Sequence, residues 1–357
     1  MPYIELKNIS KKYGNKTVIE NLNFKIKKGS FTVLLGPSGC GKSTTLRMIA
    51  GLEDISSGQI LINGKDVSKL NSSKRGISMV FQSYALFPHL SVEDNILFGL
   101  KVRKVAKEER EKRLKKVVKL VGLDGLLENK PSQLSGGQKQ RVALARAFVA
   151  KNKICLMDEP LSNLDAKLRH EMRIEIKKLQ QQLGMTVLYV THDQTEAMSM
   201  ADHIILLNKG EIEQEGKPEE LYKNVASTFV GKFIGTPPMN IINIKKEKER
   251  ILIENQELKS TYSSRITEDI NFLGIRPEDI YFEETNIGFC GRIVFKDYHG
   301  SDTVLGIQTL NDNLTNPILM RIQKADNYKN GDRVWINWSE TKVNFFNSHG
   351  ERRDILS

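Results

Sequence analysis

The sequence predicts an α/β domain with a largely parallel sheet, followed by a smaller all-β domain. Over the first 235 residues, short apolar runs with strand character alternate with helical patterns, which is typical of a parallel sheet covered by helices. After Thr236, Pro237 and Pro238 short β-runs separated by turn residues dominate, as in a small barrel or sandwich. Because 357 residues also exceed one average domain, we predict domains at residues 1–235 and 236–357.

The predicted strands and helices of the first domain follow one another in turn. Its strand-like runs lie at residues 3–6, 31–35, 76–81, 154–158, 186–191 and 203–207. Its helical patterns lie at residues 44–51, 107–121, 136–150, 167–183 and 195–200. The β-runs of the second domain lie at residues 251–254, 272–276, 292–295, 303–307, 318–322, 333–338 and 343–346. Ligands of such α/β sheets bind at the carboxyl ends of the strands.

Composition restricts the function classes. Hydrophobic residues make up 39% and charged residues 27%, the profile of a globular protein. No apolar run approaches the roughly 20 residues of a membrane helix, and Met1 is followed by a strand-like segment and not by a signal peptide. We therefore expect a cytoplasmic chain, in which any membrane role would depend on partner subunits. The spacings of Cys40, Cys155 and Cys290 fit neither a disulfide framework nor a zinc site.

The net charge of +11 is concentrated in the first domain. That domain has 38 Lys and Arg against 25 Asp and Glu, whereas the rest of the chain has 16 against 18. Ten basic residues fall between Lys101 and Lys119. Such a surface can bind nucleic acid or anionic lipid. Because Leu114, Val117 and Val121 keep the spacing of one helix face, we interpret the charges as the solvated face of an amphipathic helix.

A glycine-rich loop between a predicted strand and a predicted helix is the first motif that indicates chemistry. It reads GPSGCGKST and consists of Gly36, Pro37, Ser38, Gly39, Cys40, Gly41, Lys42, Ser43 and Thr44. The glycines let backbone amides turn inward to bind phosphate oxygens, and the helix N-terminus adds a favourable dipole. In such loops the lysine binds the β- and γ-phosphates and the serine hydroxyl ligates Mg²⁺. The motif predicts a nucleoside triphosphatase.

An acidic pair follows the apolar run ICLM. Asp158 ends this buried strand, so its carboxylate lies where a parallel sheet binds ligands and is a candidate to hold Mg²⁺. Glu159 follows directly and is a candidate base for the attacking water. An acidic pair after a strand is usually a surface turn, but the phosphate loop favours the catalytic interpretation.

The segment LSGGQKQR, residues 134–141, places Ser135, Gly136, Gly137 and Gln138 at the start of a predicted helix. A hydroxyl and free amides at a helix N-terminus form an anion site. On this signature the chain is identified as a member of the ABC ATPase superfamily. The resemblance implies that this segment binds the γ-phosphate of ATP held by a second copy. It therefore implies a head-to-tail dimer with two ATP molecules at the interface.

Further residues match motifs of this family. Gln82 matches the glutamine that senses Mg²⁺ and the attacking water, and Asp165 ends a segment, residues 162–165, that resembles the loop linking the two ATP sites. His192, after the run at residues 186–191, matches the switch histidine at the γ-phosphate. Tyr13 matches the aromatic residue that stacks on adenine, although an ordinary loop aromatic is the alternative. Cys40 lies among loop amides next to Lys42, which should favour its thiolate, although a small residue tolerated in a tight loop is the alternative.

The second domain refines the resemblance. The segments at residues 235–240 and 273–278 resemble importer ATPases with an appended OB-like, transport-associated barrel, within the carbohydrate and sn-glycerol-3-phosphate (maltose-type) group. DNA-repair and chromosome relatives insert a long coiled coil between phosphate loop and signature, whereas only about ninety residues separate Lys42 from Ser135 here. Residues 297–301, DYHGS, depart from the usual pattern of this group, which leaves open what regulates the barrel.

The resemblance implies a function and a set of partners. It implies an ABC ATPase domain with a helical subdomain that binds ATP and Mg²⁺ and energises a bacterial importer of sugars or sn-glycerol-3-phosphate. An importer of polyamines, sulfate or ferric ion is the alternative, and a nucleic-acid- or ribosome-associated ATPase is a third. The expected partners are a second copy, two permease subunits, a solute-binding protein and a regulator of the barrel, with no nucleic acid. Tyr84, Phe87 and Leu90 are expected to form a groove for the permease.

Overall fold

The computed structural model describes residues 2–247, 250–253, 256–258, 269–283, 288–309, 316–323 and 327–354. The chain forms two compact units, Met1–Pro218 and Glu219–Ser357. The sequence analysis placed the domain boundary at 235/236, later in the chain than this division. The predicted boundary stays a prediction.

The first unit contains ten strands and six helices, all within the described residues. Its strands are β1 Pro2–Tyr13, β2 Lys16–Lys27, β3 Phe31–Leu35, β4 Ser57–Ile62, β5 Lys65–Asp66, β6 Ile77–Val80, β7 Ile154–Asp158, β8 Thr186–Thr191, β9 His203–Asn208 and β10 Glu211–Gly216. Its helices are α1 Lys42–Ala50, α2 Val92–Val102, α3 Lys107–Val121, α4 Gly136–Val149, α5 Ala166–Leu183 and α6 Gln194–Met200.

The central sheet brings the predicted motifs to one edge. Its strand order is β10-β9-β3-β8-β7-β6, and all neighbours are parallel except β10 and β9. Every residue of β3, β7 and β8 is buried, which explains why their sequences are nearly continuous apolar runs. Because the carboxyl ends of parallel strands share an edge, Gly36, Glu159 and His192 follow three adjacent strands at that edge.

The first unit also contains a second, antiparallel sheet, whose strand order is β2-β1-β4-β5. Sequence analysis found only residues 3–6 of β1 and missed β2. The signal was available, because Leu22, Phe24 and Ile26 of β2 alternate with exposed residues. Tyr13 is the last residue of β1 and pairs with Lys16, so it lies at a strand end.

The helical subdomain consists of α2, α3 and α4, which contact one another. Leu114, Val117, Val118 and Val121 of α3 are buried, whereas the basic residues of this helix lie on its outer side. The structure thus confirms the predicted amphipathic helix. Among the described residues, no helix is long and apolar enough to cross a membrane.

The second unit is mostly β. Its helices are α7 Pro218–Lys223 and α8 Thr228–Phe233. Its strands are β11 Asn240–Asn243, β12 Lys245–Glu247, β13 Arg250–Ile253, β14 Gln256–Leu258, β15 Ile270–Ile275, β16 Ile280–Phe282, β17 Phe289–Tyr298, β18 Thr303–Thr309, β19 Ile318–Ile322, β20 Arg333–Trp338, β21 Asn344–Asn347 and β22 Arg352–Arg353. The predicted run at 251–254 includes residue 254, which lies outside the described residues. A core with Leu273, Phe289, Ile336 and Phe345 joins its sheets, and the predicted small all-β domain is confirmed.

The two segments that carried the subfamily resemblance have structural roles in this unit. The Asn240 amide donates to Leu319 O at 2.8 Å, and its Oδ1 accepts from Leu319 N at 2.7 Å, which ties β11 to β19. The Arg276 guanidinium is buried, donates to Tyr222 O at 2.9 Å and lies over the Tyr222 ring. These residues therefore have a structural role within the second unit.

Candidate functional site

The glycine-rich loop connects β3 to α1, as the sequence predicts. A Cβ on Gly36 would lie 2.2 Å from Leu207 O, so only glycine allows the loop to pass this close to β9. Lys42 is 4% exposed, and its Nζ donates to Gly36 O at 2.9 Å and Pro37 O at 2.8 Å. Ser38 at the loop apex is exposed. The loop therefore presents its backbone to solvent while holding one buried ammonium at its base.

The structure brings two candidate metal ligands together. Ser43, in the first turn of α1, donates from Oγ to Asp158 Oδ1 at 2.8 Å, although the two lie on different elements. Asp158 is 6% exposed. Both groups offer oxygen atoms, the donors that Mg²⁺ prefers, and Mg²⁺ usually binds one or two protein oxygens together with substrate phosphates. Because the described residues contain no cluster of three His, Cys, Asp or Glu, the oxygen pair fits Mg²⁺ better than a transition metal.

The candidate base and the candidate switch histidine are neighbours. Glu159 Oε2 lies 3.2 Å from His192 Nδ1, with the glutamate mostly buried and the histidine side chain 56% exposed. Glu159 has a φ of +42°, an unusual conformation for a residue other than glycine. Its backbone N donates to Val190 O at 3.0 Å, which fixes this turn against β8. Strained residues of this kind cluster at functional sites.

A third group links Gln82 to the same region. Gln82 Nε2 donates to Ser162 Oγ at 3.4 Å, and Ser162 Oγ donates to Glu159 O at 2.9 Å. Asn163 Nδ2 donates to Gln82 O at 3.0 Å. The loop after β6 and the loop after β7 are therefore joined by side-chain hydrogen bonds beside Glu159.

The signature segment forms the start of α4 and not part of the sheet edge. Ser135 caps this helix by accepting from Gln138 N at 3.3 Å, and Gln138 Oε1 accepts from Ser135 N at 2.9 Å. A Cβ on Gly137 would lie 2.8 Å from Leu168 Cδ2, so glycine lets α4 approach α5. Ser135 and Gly136 are exposed. The segment thus leaves the N-terminus of α4 exposed.

Asp165 and Tyr13, two further predicted nucleotide contacts, lie on elements other than those that carry Ser43 and Asp158. Asp165 caps α5 by accepting from Leu168 N at 2.9 Å. Tyr13 is 48% exposed at the end of β1, with Lys11 Nζ 4.7 Å from its ring centroid. An exposed aromatic ring beside an ammonium group is suited to stacking on a planar ligand group.

Comparisons with known proteins agree with this geometry. The ABC transporter family model matches residues 19–162, and the TOBE domain model matches residues 273–346. The chain is 43% identical over 353 residues to the sn-glycerol-3-phosphate import ATP-binding protein UgpC of Psychromonas ingrahamii, covering 98% of this chain and 94% of the relative. It is 41% identical over 354 residues to the spermidine/putrescine import ATP-binding protein PotA of Haemophilus influenzae, covering 95% of each.

The chain belongs to the ATP-binding proteins of ABC transporters. A solved dimeric ATP-binding cassette in a post-hydrolysis state, bound to ADP and Pi, superposes with a TM-score of 0.54 and 37% identity. The match covers 60% of this chain and 98% of that structure. The family, the fold class and the ATPase activity predicted from the sequence are thereby confirmed.

One expectation about this ABC protein is wrong. The loop amides and Lys42 led us to expect a favoured Cys40 thiolate, and Lys42 Nζ does lie 3.9 Å from Cys40 Sγ. The Cys40 side chain is 3% exposed, however, and burial raises the pKa of its thiol despite the nearby ammonium. Desolvation outweighs the local charge because the thiol packs inside the loop and not on its surface.

The expected permease groove also needs a correction. Tyr84 is buried and does not line a surface, and burial raises the pKa of its hydroxyl. The ring centroid of Phe87 lies 4.4 Å from that of Phe98, which is 39% exposed. Of these two aromatic residues, Phe98 of α2 is therefore exposed, whereas Phe87 in the loop is half-buried.

Two residues that sequence analysis missed shape this loop. Asn95 is fully buried; its Oδ1 accepts from Phe87 N at 2.8 Å, and its Nδ2 lies within hydrogen-bond distance of Phe87 O, Leu90 O and Ser91 O. Arg146 of α4 donates to Tyr84 O at 2.7 Å. No local pattern marks either residue, because their partners are brought together only by the packing of α2 and α4.

Proposed function

We propose that this chain energises a bacterial importer of sugars or sn-glycerol-3-phosphate, and that it works as a head-to-tail dimer bound peripherally at the cytoplasmic face of the membrane. The observation that carries the catalytic part is the Ser43–Asp158 hydrogen bond of 2.8 Å. This bond joins two oxygen-bearing side chains beside the phosphate loop and so supports a Mg²⁺ site there, with Glu159 and His192 on the turns after β7 and β8. The import part is supported by the relative of 43% identity, which is an sn-glycerol-3-phosphate import protein.

The proposed hydrolysis assigns one role to each side chain. Lys42 and the amides of residues 36–44 bind the β- and γ-phosphates. Ser43, Asp158 and Gln82 hold Mg²⁺, which when bound neutralises charge on the phosphate oxygens. Glu159 takes a proton from the attacking water, and His192, 3.2 Å from that carboxylate, contacts the γ-phosphate.

The proposed dimer follows from the exposed start of α4. Ser135, Gly136, Gly137 and Gln138 of one copy bind the γ-phosphate of ATP held by the second copy, and Asp165 lies in the loop between the two sites. Ser135 and Gly136 are exposed, so a second chain can reach them. ATP shared across the interface binds the closed dimer more tightly than the open one and so drives closure. Tyr13 stacks on the adenine.

The other proposed partners are two permease subunits and, through them, an extracytoplasmic solute-binding protein. The loop at residues 83–90 contacts the permease, with Phe87 of the loop and Phe98 of α2 as the apolar groups. A regulatory protein or ligand binds the C-terminal barrel. Nucleic acid is not an expected partner, because only about ninety residues separate Lys42 from Ser135, too few for the long coiled coil of the DNA-repair and chromosome relatives.

Polyamine import is the second candidate function. The spermidine/putrescine relative is 41% identical and covers 95% of this chain, so sequence similarity separates the two solute classes poorly. The segments at 235–240 and 273–278 favour the sugar and glycerol-3-phosphate group, but Asn240 and Arg276 within them stabilise the barrel and do not contact cargo.

A pull-down of the tagged chain from native membranes, with identification of the co-purifying permease and binding protein, tests this proposal. Recovery of a sugar-type or glycerol-3-phosphate-type permease supports it. Recovery of polyamine, sulfate or ferric-ion components keeps the ATPase mechanism and overturns the solute class. Recovery of ribosomes or DNA without a membrane partner overturns the transport function.

A further inference from the structure

Arg169, in the first turn of α5, lies at the candidate site but has no role in the chemistry described above. Its side chain lines a cavity of about 50 Å³ together with Glu159, Ser162 and His192. This guanidinium is 32% exposed, so it is held largely by protein contacts.

On one side, Arg169 holds the loop that follows Glu159. Its Nη2 donates to Leu164 O at 2.9 Å, and its Nε donates to Leu161 O at 3.4 Å. These carbonyls flank Ser162 and Asn163, the residues that bond to Gln82. A planar guanidinium can make both bonds at once because its donors are fixed in a fork.

On the other side, Arg169 reaches the residue after His192. Its Nη1 lies 3.7 Å from Asp193 Oδ2. The other oxygen of Asp193 accepts from Thr195 N at 2.7 Å and so caps α6. Because this ion pair is long and partly exposed, it is weak by itself, and the carbonyl bonds hold the guanidinium in place.

We propose that Arg169 is a positioning residue that couples the turn carrying His192 to the loop at residues 162–165. The proposal rests on the head-to-tail dimer described above, in which this loop lies between the two ATP sites. Displacement of His192 when the γ-phosphate leaves moves Asp193, and Arg169 transfers that displacement to the carbonyls of Leu161 and Leu164. The two ATP sites then respond to each other and give cooperative turnover.

The experiment compares the purified full-length chain with Arg169→Gln and Arg169→Lys. Arg173→Gln is the matched control, because Arg173 lies one turn further along α5 and its Nη2 contacts His170 at 3.1 Å. Steady-state hydrolysis is measured against ATP concentration at saturating Mg²⁺. Thermal unfolding and binding of a fluorescent ATP analogue are measured in parallel.

For wild type and Arg173→Gln we expect a Hill coefficient approaching the number of sites, about 2, and for both Arg169 variants a value near 1 with ATP binding retained. Lysine keeps the charge toward Asp193 but not the fork, so it is expected to fail like glutamine. Wild-type cooperativity in either Arg169 variant overturns the proposal, as does a non-cooperative wild type. If the glutamine variant does not fold, the lysine variant decides. Absence of ATP hydrolysis in wild type would instead contradict the proposed catalytic site.

Discussion

Replacing Asn95 by alanine removes the side chain that holds the loop between Gln82 and α2. Asn95 is fully buried, and its amide bonds only to backbone groups of residues 87–91. Its Oδ1 accepts one hydrogen bond, from Phe87 N. Its Nδ2 has two hydrogens to share among three carbonyls, two of which also accept a backbone bond: Phe87 O from Leu90 N and Ser91 O from Asn95 N.

The magnitude follows from these bonds. Each hydrogen bond contributes about 1 kcal/mol net, and buried partners left unpaired add to the loss, so we expect Asn95→Ala to cost roughly 3 kcal/mol. In a domain of this size 1 kcal/mol lowers the melting temperature by about 2–4 °C, which gives a decrease of about 6–12 °C. The freed loop also loses its fixed position next to Gln82, so transport should decrease.

Calorimetry of the purified chain measures its stability. Solute uptake into vesicles containing the permease measures how well ATP hydrolysis is coupled to transport. Asn71→Ala is the control, because Asn71 is exposed and makes no side-chain cap hydrogen bond. We expect this control to behave as wild type. Equal melting temperatures for the two variants, within about 1 °C, would refute the assignment of Asn95 as the residue that holds this loop.

Two further predictions follow from pKa values raised by burial. Maleimide should label Cys40 more slowly than the less buried Cys290, with MgATP slowing Cys40 further, as measured by peptide mass spectrometry; faster labelling of Cys40 would contradict its burial. Burial raises the pKa of Glu196 above its usual 4.5, and its Oε2 accepts from Tyr189 Oη at 2.8 Å. The folded state therefore holds this proton more tightly than the unfolded state, so the contribution of Glu196 to stability falls as pH rises above about 4.5. Glu196→Gln keeps an acceptor without the buried charge, so its melting temperature relative to wild type should increase from about pH 4.5 to about pH 7; a constant difference would contradict this sign.

Sequence analysis predicted those residues of the candidate site whose chemical role also requires a defined local structure. The phosphate loop, Asp158 and Ser135 each need a particular residue type at a strand end or helix start, and such positions can be recognised from the flanking apolar pattern. Each of Ser43 and Asp158 was predicted separately as a Mg²⁺ ligand. The structure brings them together because β3 leads into the loop and helix that carry Ser43, and Asp158 ends β7 of the same parallel sheet.

Other parts could not be predicted because they depend on packing between distant elements. Asn95, Arg146 and Arg169 act by binding carbonyl groups of loops, and nothing in their neighbouring residues indicates this. Tyr84 was expected on a surface, yet the packing of the loop buries it. The thiol of Cys40 was judged from adjacent charges, whereas its pKa is set mainly by desolvation.

The central claim is that Glu159 drives hydrolysis in a dimer whose copies share each ATP. The most direct measurement is size-exclusion chromatography with light scattering of Glu159→Gln with and without MgATP, together with its ATP turnover. The account predicts that this variant binds ATP, loses turnover and is trapped as a closed dimer only when MgATP is present. Normal turnover would show that another group is the base, and a monomer at saturating MgATP would contradict the shared sites.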